Sequence, residues 1–89
     1  MHTQLESTQQ VFLLERDGGV LCRVLALYAA RGIDIEHAEY AHAAPQTMVL
    51  TVTAEADAEL MRILVAKAAS LFGVVEAAER GRGGRLHAA

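Results

Sequence analysis

At Asp17-Gly18-Gly19 the hydrophobic period of this chain changes within three residues, and that switch restricts what it can fold into. Before it, "QQVFLLE" (Gln9 to Glu15) is a short apolar run, which reads as a buried strand ending in a tight turn. After it, Leu21, Val24, Leu25 and Tyr28 follow the i, i+3, i+4, i+7 spacing that places them on one face of a helix. Arg31 suits the negative end of that helix, and Gly32 can take the left-handed conformation of a C-terminal cap.

The rest of the sequence supplies the partners. "IDIEHAEYAHA" (Ile33 to Ala43) starts with alternating character and reads as a second strand, and Ala44-Pro45-Gln46 as a turn. "TMVLTVTA" (Thr47 to Ala54) alternates Met48, Leu50 and Val52 with Thr47, Val49, Thr51 and Thr53, the clearest period-2 strand in the chain. A second helix is expected over residues 57–71, with Leu60, Leu64, Ala68 and Leu71 as its buried stripe and Glu55, Glu59, Arg62 and Ser70 marking its wet face. Ile63 and Val65 make it more apolar than one buried face requires, which predicts surface to bury in association. Gly73 ends it, and "VVEAAE" (Val74 to Glu79) is the last strand. The order β-α-β-β-α-β predicts an α+β, ferredoxin-like fold: a four-stranded antiparallel sheet with two helices on one face. Residues 1–8 are polar and expected to be a flexible N-terminus, residues 9–79 the domain, and "RGRGGRLHAA" (residues 80–89) a flexible basic tail.

Composition narrows the functional classes. A chain of 89 residues buries only about 60–65% of its unfolded surface, so association into a homodimer would help it. The formal net charge of -3 argues against a nucleic-acid partner. Cys22 is the only cysteine, which fits a reducing compartment and excludes an internal disulfide framework. The opening "MHTQLESTQQ" lacks an apolar signal core, and no apolar run approaches the roughly 20 residues that cross a bilayer. The expectation is a small cytoplasmic protein with no membrane contact.

Candidate chemistry is sparse. The histidines are scattered, and the odd spacing of His37 and His42 puts them on opposite faces of a regular strand, so no metal site is expected. RNA binding on the sheet would need aromatics on central strands, yet Tyr28 and Phe72 fall in helical segments. A small acyl-phosphate hydrolase of this fold would need an asparagine to orient water, and the chain has none. Cys22 has no histidine close in sequence and lies between core positions of the helix, so a half-buried structural thiol is expected. No catalytic residue and no cofactor are expected.

"ERDGGVL" leaves two readings. A helix N-terminus offers unpaired N–H groups and partial positive charge, and glycines allow close approach, so the turn could hold a small carboxylate. Equally, Gly18 and Gly19 could serve only the tight turn. The residues Leu13-Leu14-Glu15, Gly19, Leu21, Arg23-Val24, Leu27, Arg31-Gly32, Ile35 and Glu36 resemble an ACT domain. Within that superfamily, "LLERDGGVLCRVLALYAARGIDIE" is most similar to the small regulatory subunit of acetolactate synthase, in its short form. "SLFGVVEAAE" fits the same subunit's closing segment; the likeness spans about residues 10–79.

That resemblance implies a non-catalytic regulatory homodimer that binds a branched-chain amino acid between two ACT domains and acts on the large catalytic subunit of acetolactate synthase. The ligand would lie against Arg16, Asp17, Gly18, Gly19, Val20 and Leu21, reached by Asp34 and Ile35 of the neighbouring chain. Two positions depart from the family pattern, which has asparagine where Arg16 and Asp34 stand. An Asp34 carboxylate would repel a ligand carboxylate while attracting an ammonium, and Arg16 could bind a carboxylate or pair with Asp34 and fill the site. Weak or absent valine binding is therefore expected. The alternative reading is a free-standing ACT sensor for another small amino acid.

Overall fold

The computed structural model describes residues 5–80 and 86–88. Its elements are β1 (Leu5–Glu15), α1 (Gly18–Ala30), β2 (Ile35–Ala44), β3 (Thr47–Asp57), α2 (Ala58–Ala69), β4 (Val74–Arg80) and a short β5 (Leu86–Ala88). The sheet runs β2-β3-β1-β4-β5, every neighbouring pair antiparallel. The first four strands with the two helices are the ferredoxin-like arrangement that the element order predicts.

Alternation decides which face each strand buries. Along β3, Met48, Leu50, Val52, Ala54 and Ala56 are buried, while the threonines and Val49 between them are half-buried on the other face. Phe12 and Leu14 of β1 lie opposite Leu50 and Met48 and so share their face. They form one core with Val20, Val24 and Tyr28 of α1 and Met61, Leu64, Val65 and Ala68 of α2, which puts both helices on one side of the sheet.

Four features differ from the sequence reading. Strand β1 starts at Leu5, so residues 5–8 pair with β3 from Asp57 to Ala54 and are not a separate N-terminal segment. The polar Gln10 and Thr8 extend the strand because they satisfy each other: Gln10 Nε2 donates to Thr8 Oγ1 at 2.8 Å. Residues 86–88, expected in the tail, run antiparallel to β4 from Arg80 to Ala78, while 81–85 and 89 lie outside the described residues. On α2 the buried stripe is Met61, Leu64, Val65 and Ala68, so Val65 belongs to the core and not to a spare apolar face. Ile63 alone of the two extra apolar residues stays exposed, which removes most of the case for α2 as a contact surface.

Gly32 and Gly73 hold the positive-φ positions, at 66° and 94°. Gly32 closes α1, where the Gly32 N–H donates to Ala29 O and the Ile33 N–H to Tyr28 O. Gly73 closes the turn into β4, and its carbonyl accepts the Glu15 N–H at 2.8 Å. No helix among the described residues is long and apolar enough to cross a membrane.

Candidate functional site

Three connections meet at one end of the sheet: the β1–α1 turn, the β2–β3 hairpin turn and the α2–β4 turn. The Arg16 N–H donates to Gln46 O at 3.1 Å, the Arg16 guanidinium points to Pro45 O at 3.4 Å, and Glu15 reaches Gly73. Pro45, Gln46 and Gly73 carry no chemistry of their own, and only their turn propensity marked them in sequence. Together they fix where the first turn of α1 opens.

That first turn is already capped. Asp17 is the N-cap residue, in extended conformation, and its Oδ1 accepts the Gly19 N–H at 2.8 Å. The Asp17 carbonyl accepts the Val20 N–H at 3.0 Å. Of the first three N–H groups of the helix, two are thus committed to Asp17, a satisfied N-terminus in the ordinary sense. Gly18 is exposed, and a Cβ placed on it would meet nothing within 4 Å. Val20 is buried against Gly73, and Leu21 is half-buried against the core. At this turn the Asp17 carboxylate holds the Gly19 N–H, the group that an incoming carboxylate would need.

The chain gathers six of the eight candidate residues, Arg16, Asp17, Gly18, Gly19, Val20 and Leu21. Asp34 and Ile35 stand at the far end. They follow the C-terminus of α1, and Ile35 pairs with Ala54 whereas the Arg16 end of β2 is Ala44 beside Thr47. About 30 Å of strand separates the two groups at some 3.3 Å per residue. Within one chain Arg16 therefore does not reach Asp34. Only a second copy could bring an Asp34 to this turn.

His37 lies opposite Thr53 and His42 opposite Met48, so the register sets them on opposite faces of β2. Cys22, expected to be half-buried, is exposed on α1 because the buried face of the helix runs through Val20, Val24 and Tyr28. The buried polar group that sequence reasoning missed is Gln10, fully enclosed and accepting the Tyr28 hydroxyl at 2.9 Å. Its alternation within an apolar run gave no sign that a partner waited on α1. Burial, and then the Glu79 carboxylate, push the Tyr28 hydroxyl far above its ordinary pKa. Both groups are satisfied inside the core, so they hold α1 to the sheet and offer nothing to a ligand.

No family model and no curated protein matches the chain. Solved structures do. One is the solution structure of the C-terminal domain of the MgtC protein from Mycobacterium tuberculosis, with a TM-score of 0.73, 14% identity, and coverage of 94% of this chain and 96% of that one. Another is the ACT domain from GTP pyrophosphokinase of Chlorobium tepidum, with a TM-score of 0.70, 10% identity, and coverage of 84% and 85%. The fold is that of an ACT domain. At these identities the likeness concerns fold alone.

Proposed function

We propose that this chain is a non-catalytic, ACT-type regulatory subunit that works as a homodimer in the cytoplasm, and that its partner is the large catalytic subunit of acetolactate synthase. The observation that carries the regulatory reading is the ACT fold with its glycine turn opening at the mouth of α1. The partner is supported by the sequence likeness over "LLERDGGVLCRVLALYAARGIDIE". The chain brings no paired nucleophile and base into contact among its described residues, so its influence would pass through an interface that favours one state of the catalytic subunit.

The dimer is supported by a second argument. A two-fold axis through the β2 edge runs the start of one β2 along the end of the other. It thereby carries Asp34 and Ile35 of the second copy toward the Arg16–Leu21 turn that one chain cannot reach alone. The candidate site is then complete only in the pair.

The test is to titrate the protein into its cognate large subunit and follow acetolactate formation with and without valine, leucine or isoleucine. The expected result is no activity alone and a changed rate, thermal stability or cofactor affinity of the partner. No co-purification and no change in any of these would leave the free-standing sensor.

The Asp17 cap sharpens the ligand prediction. An incoming carboxylate must displace the Asp17 side chain from the Gly19 N–H and meet its charge, so valine should raise the melting temperature little or not at all. Gly19→Asp should abolish whatever ligand-dependent rise exists. Its Cβ would stand 3.2 Å from Asp17 Oδ1, crowding the cap and adding a second carboxylate. Calorimetry showing tight valine binding by the parent protein would refute the role given to Asp17.

A further inference from the structure

We propose that the catalytic partner of the regulatory reading above, on which this inference rests, is held at one corner of the sheet. A short apolar segment of that partner, carrying a basic residue, docks on Phe72, Val75 and Glu76.

The corner is set apart by its apolar exposure. Phe72 and Val75 are 84% and 63% exposed, against 38% for Tyr40 and 37% for Ile63, the other exposed large hydrophobic residues among those described. A single exposed apolar side chain is ordinary. These two lie three residues apart around one turn, which the Val74 N–H closes on Leu71 O at 3.2 Å. Gly73 between them is buried, packs toward Val20 and gives its carbonyl to the Glu15 N–H. The two side chains therefore stand on a turn tied to both α1 and β1, beside the mouth of α1 where the candidate ligand residues lie.

The register explains why Val75 faces outward. Leu14 pairs with Val74 and Leu13 with Glu76, so Val75 is the extra residue of a β-bulge and has no partner on β1. Regular alternation would put Val74 and Glu76 on one face, yet Val74 packs against the core while Glu76 is exposed. On the outer side, β5 pairs with β4 at Ala78–Arg80, and no described residue pairs with Val74–Glu76. An extended segment in line with β5 has about 10 Å of strand to lie along, at some 3.3 Å per residue.

Charge selects the occupant. Glu76 lies opposite Leu13, and Glu15 is two residues from Leu13 on the same face of β1. Both carboxylates are exposed, and neither forms an ion pair among the described residues. A basic side chain set between them is attracted by both. A second copy of the chain does not meet these terms. Two β4 edges related by a two-fold would bring Glu76 of each copy toward the other. Beyond Ala77, β5 of each would meet the α2–β4 turn of the other. The bulge also breaks regular pairing, one of the ways in which like edges are kept apart.

The test measures affinity for the cognate large subunit. Phe72→Ser and Val75→Lys should each weaken binding about tenfold or more, with the melting temperature and the oligomeric state of the parent, because both side chains are exposed. Ile63→Ser, on the outer side of α2, should bind as the parent does. Parent binding should weaken as salt rises, and Glu76→Gln should flatten that dependence. Parent-like affinity of both Phe72→Ser and Val75→Lys overturns this surface and spares the regulatory reading. Self-association that Val75→Lys abolishes in the absence of the large subunit puts a second copy here and overturns the assignment to the partner. A parent protein that does not bind the large subunit removes both this surface and that reading.

Discussion

Replacing Gly73 with alanine is expected to cost about 2–5 kcal/mol, from a left-handed backbone that a side chain disfavours and from overpacking beneath it. Gly73 has φ 94°, and an added Cβ would overlap Val20 Cγ2 and stand 3.3 Å from its Cγ1. Val20 cannot give way easily. It is 1% exposed on the first turn of α1, and a β-branched side chain in a helix has one strongly preferred rotamer. The Gly73 carbonyl also accepts the Glu15 N–H, so a shifted turn would loosen the end of β1. A domain of this size is expected to have only about 5–10 kcal/mol of stability, so urea unfolding should show a large loss of folded protein. Gly18→Ala is the control. It enters open space in the first helical turn and should stabilise by about 0.4–1 kcal/mol. If both variants match the parent, Gly73 is an ordinary loop residue and the close packing of the α2–β4 turn on α1 is wrong.

Tyr28→Ala should be comparably severe, at about 3–5 kcal/mol for a buried aromatic truncated to a methyl. Tyr28 is 1% exposed, its ring meets Phe12 edge-on at 6.4 Å and 86°, and its hydroxyl donates to the fully buried Gln10. Tyr28→Phe separates the components. It keeps the ring contact and leaves the Gln10 carbonyl oxygen without its donor, at a cost of about 1–3 kcal/mol. In the double variant Tyr28→Phe, Gln10→Leu, part of that loss should return, because neither partner is left unpaired. The raised pKa adds a signature in pH. The unfolded chain ionises Tyr28 above about pH 10 while the folded chain holds the proton, so its contribution is complete below that value and declines as pH rises. Tyr28→Phe should therefore be less sensitive to alkali than the parent, read as a smaller fall in melting temperature above about pH 10. Equal alkaline sensitivity would count against a buried, neutral Tyr28.

Periodicity determined the elements, because it is written locally. The alternation from Thr47 to Thr53, the spacing Val24–Tyr28 and the glycines at 32 and 73 required no knowledge of the rest of the chain, and β3, α1 and the two glycine turns formed where they put them. The order of those elements then limited the topology to the ferredoxin-like plan. Local pattern also identified the turn at the mouth of α1, but not its state. Whether its N–H groups are free depends on where the Asp17 side chain settles, and it settles on Gly19. Polar partners were equally hidden. The sequence put Gln10 in a buried strand without showing what would satisfy it, because its partners, Tyr28 and Thr8, come from another element and from two residues back along its own strand. The reading of α2 failed at Val65 for a related reason. A helix wedged between β4 and α1 buries a wider arc than a single stripe, and sequence spacing cannot state how wide. Finally, Asp34 and Arg16 sit only a helix apart in sequence, yet that helix carries the chain to the other end of the sheet. Spacing along the chain set the length of α1, and the packed fold decided that this length puts Arg16 and Asp34 at opposite ends of the sheet.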